Sequence, residues 1–258
     1  MSKQIVVWGM GEMGSVFARG FLKLGHTVIP VVRSSDPASI ATEHPDPELV
    51  LVAVGEATLQ EVLATVPAVW HGKVALLQNE LLPSDWQKYP QFANDHDPTV
   101  ISVWFEKKRG MDSKPLISSP IFGPKASLLV DALATLDIPA HEVATLDEMT
   151  YELVRKNVYI VTTNIAGLKT GGTVSDLWAN HESFARDVAS DVMDVQETLV
   201  GHELPRERLV EGMLEAFDGD PDHGCMGRSA PARLARAISQ ADTANIEVQT
   251  LREISNSH

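Results

Sequence analysis

Cysteine is nearly absent: Cys225 is the only one in 258 residues. One cysteine cannot form an internal disulfide or supply a zinc site built on several thiolates, so we expect a reducing, cytoplasmic compartment and a small buried apolar role for Cys225. The nine histidines include no pair with zinc-ligand spacing next to a cysteine or a third histidine. We therefore predict no metal site, and we interpret His96 and His223 as loop residues.

Basic residues are also scarce, with 21 lysines and arginines against 35 acidic residues and a net charge of -14. This balance disfavours nucleic acid and anionic membranes as partners, because phosphate binding needs a basic surface. It does not exclude a small anionic substrate. The longest apolar runs, such as Leu49–Val54, are much shorter than the ~20 residues of a membrane-spanning helix. The chain enters a glycine motif directly, so we predict no signal peptide.

The first half of the chain alternates strand-like and helix-like segments. The predicted strands are Gln4–Trp8, His26–Val32, Leu49–Val54, Lys73–Leu77, Val100–Phe105, a segment around Leu116–Ile121 and a segment near His141–Ala144. The predicted helices are Gly14–Leu24, Leu59–Thr65 and Lys125–Leu136. Pro30 cannot donate to a sheet ladder, which places the second strand at or near an edge. Only about fifteen residues separate Arg33 from the next apolar run, about enough for one crossover, so the usual third strand is missing.

After residue 146 the 3.6-residue period of amphipathic helices replaces the strand pattern. Helices are predicted near 147–168, 179–201, 206–217 and 230–241. Thr145 and Glu148 have the spacing of a capping box that opens the first of them. The predicted architecture is an α/β Rossmann domain at 1–146, followed by an all-α domain at 147–258 for substrate binding and dimerisation.

The segment Gly9-Met10-Gly11-Glu12-Met13-Gly14 has the pattern G-x-G-x-x-G between a predicted strand and a predicted helix. In this context Gly9 permits a tight turn, Gly11 lets the backbone approach a pyrophosphate, and Gly14 allows the helix to pack on the strand. The helix N-terminus offers N–H groups to phosphates. We predict dinucleotide binding by all six residues. The alternative is a glycine-rich turn without a ligand.

The second predicted strand ends in Arg33-Ser34-Ser35. Sites for NAD usually carry an acidic residue here for the ribose 2′-hydroxyl, whereas an arginine accommodates the 2′-phosphate of NADP. Arg33 and Ser34 therefore favour NADP over NAD. Asp36 lies further on and is interpreted as a turn residue before Pro37. The alternative is that Arg33 is an exposed residue that merely ends a strand.

With these motifs and two domains, the chain resembles ketopantoate reductases (2-dehydropantoate 2-reductases), whose helical domain is similar to that of 6-phosphogluconate dehydrogenase. The resemblance is carried by the glycine motif, Arg33, and the segments Leu76-Leu77-Gln78-Asn79, Phe122-Gly123-Pro124 and Tyr151-Glu152-Leu153-Val154-Arg155-Lys156. It implies a nicotinamide cofactor, a small 2-oxo acid or related carbonyl as substrate, and a homodimer.

The resemblance also implies roles for individual residues. Lys156 matches the general acid that protonates the carbonyl oxygen, and Asn79 matches the asparagine where nicotinamide and substrate meet. Asn164 and Ser229 match residues that hold the substrate. Other matched positions differ: Glu80 stands for a glycine, Gly55 lies where a lysine is expected, Ile160 stands for a second asparagine, and the late helix lacks a matching glutamate.

The residues around Lys156 leave two alternatives for its role. It lies among apolar neighbours on a predicted helix, and a lysine that points into a cleft loses hydration, which suits a group that gives up a proton. The alternative is a solvated lysine beside Arg155. Two further basic sites, Lys107-Lys108-Arg109 and Arg228, can either attract a carboxylate substrate or be solvated surface. Ser229, next to Arg228, can instead be the N-cap ahead of Pro231.

Together these features predict an NADP-dependent oxidoreductase that acts on a CH-OH/C=O pair. Two alternatives stay open at this point. The same scaffold can reduce an imine, and the altered substrate positions are compatible with a non-catalytic protein that binds or senses NADP(H). Similarity of fold does not decide between these functions.

Overall fold

A computed structural model of the chain describes residues 2–93, 97–107 and 110–257. The chain divides into two compact units, Met1–Leu153 (unit 1) and Val154–His258 (unit 2). The helix Leu146–Thr170 contributes its amino-terminal part to unit 1 and the rest to unit 2. The domain boundary after residue 146 therefore stays a prediction.

Unit 1 is built on a mostly parallel sheet. The strands of the described residues are β1 Gln4–Trp8, β2 Thr27–Val31, β3 Leu49–Val52, β4 Val74–Leu76, β5 Thr99–Ile101, β6 Phe105–Glu106, β7 Lys114–Pro115, β8 Ser119–Phe122 and β9 Ala140–Glu142. Seven of them form one sheet in the order β2-β1-β3-β4-β5-β8-β9. Neighbouring strands from β2 to β5 are parallel, and β8 is antiparallel to β5. This confirms the predicted Rossmann-type α/β architecture.

The second strand lies at the edge of this sheet, as Pro30 predicts. Pro30 pairs in register with Val7 of β1, and β2 has no other neighbour in the described sheet. The central strand β1 is completely buried at Ile5, Val6 and Val7, which is typical of a parallel strand covered on both faces.

The helices of unit 1 lie between the strands in sequence. They are α1 Glu12–Lys23, α2 Pro37–Glu43, α3 Glu56–Thr65, α4 Pro83–Gln87, α5 Ala126–Ala134 and the start of α6 Leu146–Thr170, with 3₁₀ helices at Ala68–Lys73 and Pro90–Phe92. Helix α1 packs closely on α5: a Cβ at Gly20 would lie only 2.5 Å from the Ala132 carbonyl oxygen, so the absence of a side chain at Gly20 permits this approach. The largest apolar cluster of unit 1 includes Phe17 and Phe21 of α1 and Leu129 of α5.

One predicted strand is wrong: Val100–Phe105 is not continuous. β5 ends at Ile101, and the chain then turns so that Phe105 begins β6, which pairs with β7 instead. The Trp104 N–H donates to Ser119 Oγ over 2.9 Å. The run is apolar except for Ser102, so its sequence pattern does not show where the chain leaves the sheet.

Unit 2 is entirely helical in its regular structure. It holds most of α6, followed by α7 Val174–Val200, α8 Arg206–Gly219, α9 Ala230–Ala244 and α10 Gln249–Asn256. The all-α prediction is confirmed, but α7 starts earlier than predicted and α10 was missed. Helix α7 is kinked at His181, which has a φ of −140°, and this break lies close to the predicted start at residue 179.

The capping box ahead of α6 is confirmed. The Glu148 N–H donates to Thr145 Oγ1 over 3.1 Å, and the Thr145 N–H donates to Glu148 Oε2 over 3.2 Å. Within the described part of the chain, no helix combines the length and apolar character that crossing a bilayer requires.

Candidate cofactor and substrate site

The turn between β1 and α1 has a backbone that only glycine adopts easily. Gly9 has a φ of +105°, and a Cβ there would lie 2.6 Å from the Ala53 carbonyl oxygen. A Cβ at Gly14 would lie 1.9 Å from the Gly9 carbonyl oxygen, so any side chain would push α1 away from the turn. The Gly9 N–H donates to the Val31 carbonyl over 2.9 Å, which ties the turn to β2. Gly9 and Gly14 thus bring α1 tightly onto the end of β1.

Gly11 differs from the other two glycines because it faces open space. A Cβ at Gly11 would meet no atom of the described residues within 4 Å. Gly11 is the N-cap of α1 and has no side chain to cap the helix, so the N–H groups of the first turn remain available to a ligand. Met10 and Glu12 beside it are exposed, and Met13 is half-buried. This open, N–H-lined cradle would fit the pyrophosphate of a dinucleotide.

The end of β2 presents Arg33 and Ser34, which are both exposed. A tight turn holds them, in which the Ser35 N–H donates to the Val32 carbonyl and the Val32 N–H donates to Ser35 Oγ. Arg33 is thus the basic side chain at the carboxyl end of the strand, on the β2 side of the glycine cradle.

Asp36, interpreted from sequence as a turn residue, is the N-cap of α2. Its carboxylate accepts from the N–H groups of Ala38 and Ser39 and, over 2.7 Å, from the Ser39 hydroxyl. The Ser39 hydroxyl bond and the Ala38 N–H bond hold the pKa of Asp36 below its usual range. This acid is therefore occupied as the N-cap of α2.

The segment after β4 is anchored by Gln78, a residue that the sequence reasoning missed. Gln78 is 6% exposed, and its Nε2 donates to the carbonyls of Val52 and Val54 over 2.8 and 3.2 Å. Its Oε1 accepts from the Leu77 N–H. The sequence signal that could have identified Gln78 is a polar residue directly after a buried apolar strand. Gln78 fixes the following turn, Asn79–Glu80, to the carboxyl end of β3.

Asn79 is half-buried in that turn, at the carboxyl edge of the parallel sheet. Its amide makes no hydrogen bond with the described residues of unit 1, so it is available to a ligand at this edge. Glu80 follows with a φ of 58°. This φ lies in the left-handed region that favours glycine, the residue that the resemblance implies at this position.

Lys156 lies on α6 in unit 2. Val154 and Val158 are completely buried, and Asn157 is 1% exposed and donates to Gln196 Oε1 of α7 over 3.0 Å. One face of α6 is therefore buried, as predicted. Lys156 itself is half-buried. Its proton-donating role stays a prediction, as does the alternative of a solvated lysine.

Asn164 lies two turns after Lys156 and is held at both ends of its amide. Its Oδ1 accepts from Arg233 Nη1 over 2.7 Å, and its Nδ2 donates to the Cys225 carbonyl over 3.2 Å. Both Asn164 and Arg233 are buried, at 7% and 6% exposure. Arg233, on the first turn of α9, was not singled out from sequence, because arginine is usually exposed and the pattern does not show its partner.

The loop ahead of α9 packs closely on α6. A Cβ at Gly167 would lie 2.8 Å from the Cβ of Cys225, so glycine is required for this approach. Cys225 is completely buried, which raises the pKa of its thiol to about 11, in keeping with the predicted apolar role. Arg228 and Ser229 are exposed. Ser229 stands at the N-cap position of α9 but makes no side-chain capping bond, so its hydroxyl is available to a ligand.

The remaining residues predicted from sequence add less to this candidate site. Lys107 donates to the Met111 carbonyl within its own loop. Lys108, Arg109 and His96 lie outside the described residues. His223 is half-buried and its Nδ1 lies 3.7 Å from Asp220 Oδ2. Among residues 2–93, 97–107 and 110–257, no group of three or more His, Cys, Asp or Glu residues is arranged to hold a metal ion.

Comparison with known proteins identifies the fold. No protein-family model matches the chain, and no curated protein matches it by sequence. Solved structures match it over nearly their whole length. The 2-dehydropantoate 2-reductase from Methylococcus capsulatus matches with a TM-score of 0.66 and 17% identity, covering 97% of this chain and 94% of that one.

Two further matches widen the comparison. D-mandelate dehydrogenase, solved with NADH and anilino(oxo)acetate, has a TM-score of 0.66 and 13% identity, covering 98% of this chain and 96% of that one. A dimeric ketopantoate reductase from Staphylococcus aureus has a TM-score of 0.61 and 16% identity, with coverage of 97% and 95%. At these identities the likeness establishes the fold. The resemblance to ketopantoate reductases is thus confirmed at the level of the fold.

Proposed function

We propose that this chain is an NADP-dependent oxidoreductase that reduces a small 2-oxo acid or a related carbonyl compound. The observation that carries the proposal is the cradle at the start of α1. Gly9 and Gly14 leave no room for side chains, whereas Gly11 leaves room for a ligand and the helix N-terminus supplies N–H donors. A glycine-rich turn without a ligand would not need an open position at Gly11 between two closed ones.

Residues of unit 1 would bind the cofactor. The backbone of Gly9–Gly14 would bind the pyrophosphate, and Arg33 with Ser34 would bind the 2′-phosphate that distinguishes NADP from NAD. Asn79 would hold the nicotinamide end and the substrate. The bound cofactor supplies the hydride for the reduction.

Further residues, in unit 2, would bind the substrate and supply the proton. Lys156 would donate the proton to the carbonyl oxygen, which develops negative charge as the carbon is reduced. Asn164 and Ser229 would hold the substrate. The Asn164 amide is oriented by Arg233 and by the Cys225 carbonyl, so its position is set before any substrate binds. A carboxylate-bearing substrate would suit the positive charge of Arg233 beside it.

Two measurements test the proposal. Calorimetric titration with NADPH and NADH should give tighter binding of NADPH, and absence of binding for both would reject the proposal. NADPH absorbance should then fall steadily with at least one member of a panel of 2-oxo acids, aldehydes and imines. Binding without turnover across the panel would favour a sensor of NADP(H), and turnover of imines alone would favour an imine reductase.

The matched ketopantoate reductase from Staphylococcus aureus is described as dimeric, and we propose a homodimer for this chain as well. Light scattering coupled to size-exclusion chromatography should give about twice the 28.1 kDa of one chain. A mass of one chain across the micromolar range would reject the dimer and leave the oxidoreductase proposal intact.

A further inference from the structure

The turn after β4 holds a residue in a backbone conformation that disfavours its side chain. Glu80 has a φ of 58°, in the left-handed region. The other non-glycine residues of the described chain with positive φ are Asp137 and Asn245. Asp and Asn tolerate this region because their short side chains bond to the local backbone. Glutamate is found in this region less often than Asp or Asn, so the backbone at Glu80 carries strain that glycine would relieve.

The surroundings of the turn hold this strain in place. Before the turn, Gln78 is bonded to the Val52 and Val54 carbonyls. After it, Leu81 and Leu82 are 2% and 3% exposed. Such strain persists where neighbouring structure over-determines the backbone, and it is concentrated at functional sites. The same anchors would hold a glycine equally well.

A continuous set of contacts connects this turn to the glycine cradle. Ala53 donates its N–H to the Trp8 carbonyl over 2.7 Å and packs against Gly9, and the next residue, Val54, accepts from Gln78. In the strand order β2-β1-β3-β4, Arg33 lies on one side of the cradle and Glu80 on the other. A dinucleotide with its pyrophosphate on the cradle and its adenosine at β2 extends its nicotinamide half toward β4. Two strand spacings, roughly 10 Å, separate β1 from β4.

Compared with glycine, Glu80 adds a carboxylate at this nicotinamide end. Burial raises the pKa of Asp85 in the following helix, and the negative charge of Glu80 adds to that rise. The reduced nicotinamide ring is neutral. Loss of a hydride, which is one proton and two electrons, leaves the ring with one positive charge. A fixed negative charge nearby stabilises the oxidised ring relative to the reduced one.

We propose that the carboxylate of Glu80 makes the site bind NADP⁺ more tightly, relative to NADPH, than a neutral residue would, and thereby favours hydride release to the substrate. The inference rests on the proposed function, since it requires a nicotinamide cofactor. It concerns the electrostatics of binding, so it is measured without knowing the substrate.

The test compares the dissociation constants of NADP⁺ and NADPH for the wild-type chain, Glu80→Gln and Glu80→Gly by calorimetry. In both variants the ratio of the NADP⁺ constant to the NADPH constant should rise by about tenfold, on the order of what removal of one nearby unit charge produces in a partly solvated site. Glu80→Gln keeps the strained backbone with a neutral side chain of the same shape. Glu80→Gly also removes the strain, so its Tm should rise above that of the wild type.

The matched control is Asp137→Asn, which neutralises an exposed acid at the other acidic left-handed position of unit 1 and should leave the ratio unchanged. An unchanged ratio in both Glu80 variants, with nucleotides still bound, overturns the inference and leaves the proposed function standing. If the wild-type chain binds neither nucleotide, both are overturned. If Glu80→Gln fails to fold, Glu80→Gly supplies the ratio, because glycine accepts the backbone of this turn.

Discussion

The guanidinium of Arg233 and the amide of Asn164 form a buried hydrogen bond of 2.7 Å between α9 and α6. Because Asn164 also donates to the Cys225 carbonyl, one side chain connects two helices and the loop that precedes α9. The amide is therefore oriented, with its oxygen toward Arg233 and its nitrogen toward the loop. Asn164 thus has a structural role in unit 2 in addition to the substrate role that the resemblance implies.

Arg233→Met should destabilise unit 2. It leaves the buried Asn164 oxygen without its donor, which typically costs about 1–3 kcal/mol. Thermal unfolding should show a lower Tm, and Arg236→Met, an exposed position on the same helix, should have a smaller effect. In a double-mutant cycle with Asn164→Ala, the two effects should be non-additive; additive effects would contradict the importance of this bond.

The three motif glycines should respond differently to alanine. Gly14→Ala should lower the Tm strongly, because its Cβ would lie 1.9 Å from a carbonyl oxygen. Gly11→Ala should leave the Tm nearly unchanged but weaken NADPH binding by about tenfold or more, because the methyl group would occupy space in the proposed pyrophosphate site. Gly72→Ala, which also meets no described atom within 4 Å, is the control and should change neither quantity. Unweakened binding in Gly11→Ala would place the cofactor elsewhere.

Arg33→Ala should remove the preference for NADP. A charged hydrogen bond to the 2′-phosphate is worth about 1.5–3 kcal/mol, so the dissociation constant of NADPH should rise by roughly tenfold to a hundredfold. The constant of NADH should stay the same. Arg19→Ala, an exposed arginine on α1, should affect neither nucleotide. Equal weakening of NADPH and NADH would show that Arg33 does not contact the 2′-phosphate.

Lys156→Ala should reduce turnover of whichever carbonyl substrate is active by about 10²–10⁴-fold, because general acid catalysis contributes about that much. NADPH affinity should change little. Lys156→Arg keeps the charge but cannot release a proton near neutral pH, and it should be nearly as slow. Lys169→Ala, at the exposed end of the same helix, is the control. Wild-type turnover in Lys156→Arg would indicate that this position supplies only charge.

Unit 1 should lose stability in acid when the Glu48 carboxylate becomes protonated. Its carboxylate accepts from Lys125 over 2.8 Å and lies 3.1 Å from Lys3, and chiefly the Lys125 bond holds the pKa of Glu48 below its ordinary value of 4.5. A lowered pKa in the folded chain stabilises it above the unfolded value, and this stability is lost as the pH falls through the lower, folded value.

Chemical denaturation of Glu48→Gln at a series of pH values tests this. The variant should lose about 0.5–1 kcal/mol near neutral pH, a figure that allows for solvent screening, and should approach the wild type in strong acid. The exposed Glu43→Gln should follow the wild type throughout. A constant difference between Glu48→Gln and the wild type at every pH would mean that the ion pairs do not depend on ionisation of Glu48.

Structural features that depend on one short segment of the sequence were predicted correctly. Pro30 indicated an edge strand, and Thr145 with Glu148 indicated the start of α6, because each acts through the backbone of its own segment. The run from Val100 to Phe105 was misread, since its apolar character is compatible with one strand or two. The short helix α10 was also missed, because its docking on α7 and α9 is a tertiary interaction.

The sequence by itself determined the glycine turn between β1 and α1 and the division into α/β and helical halves, because glycine spacing and hydrophobic periodicity act over a few residues. Only the tertiary structure decided which polar groups meet across distant segments. Gln78 reaches the carbonyls of β3, Arg233 reaches Asn164, and Glu80 is held in a left-handed turn. These arrangements depend on contacts between residues far apart in the chain, and no local pattern encodes their geometry.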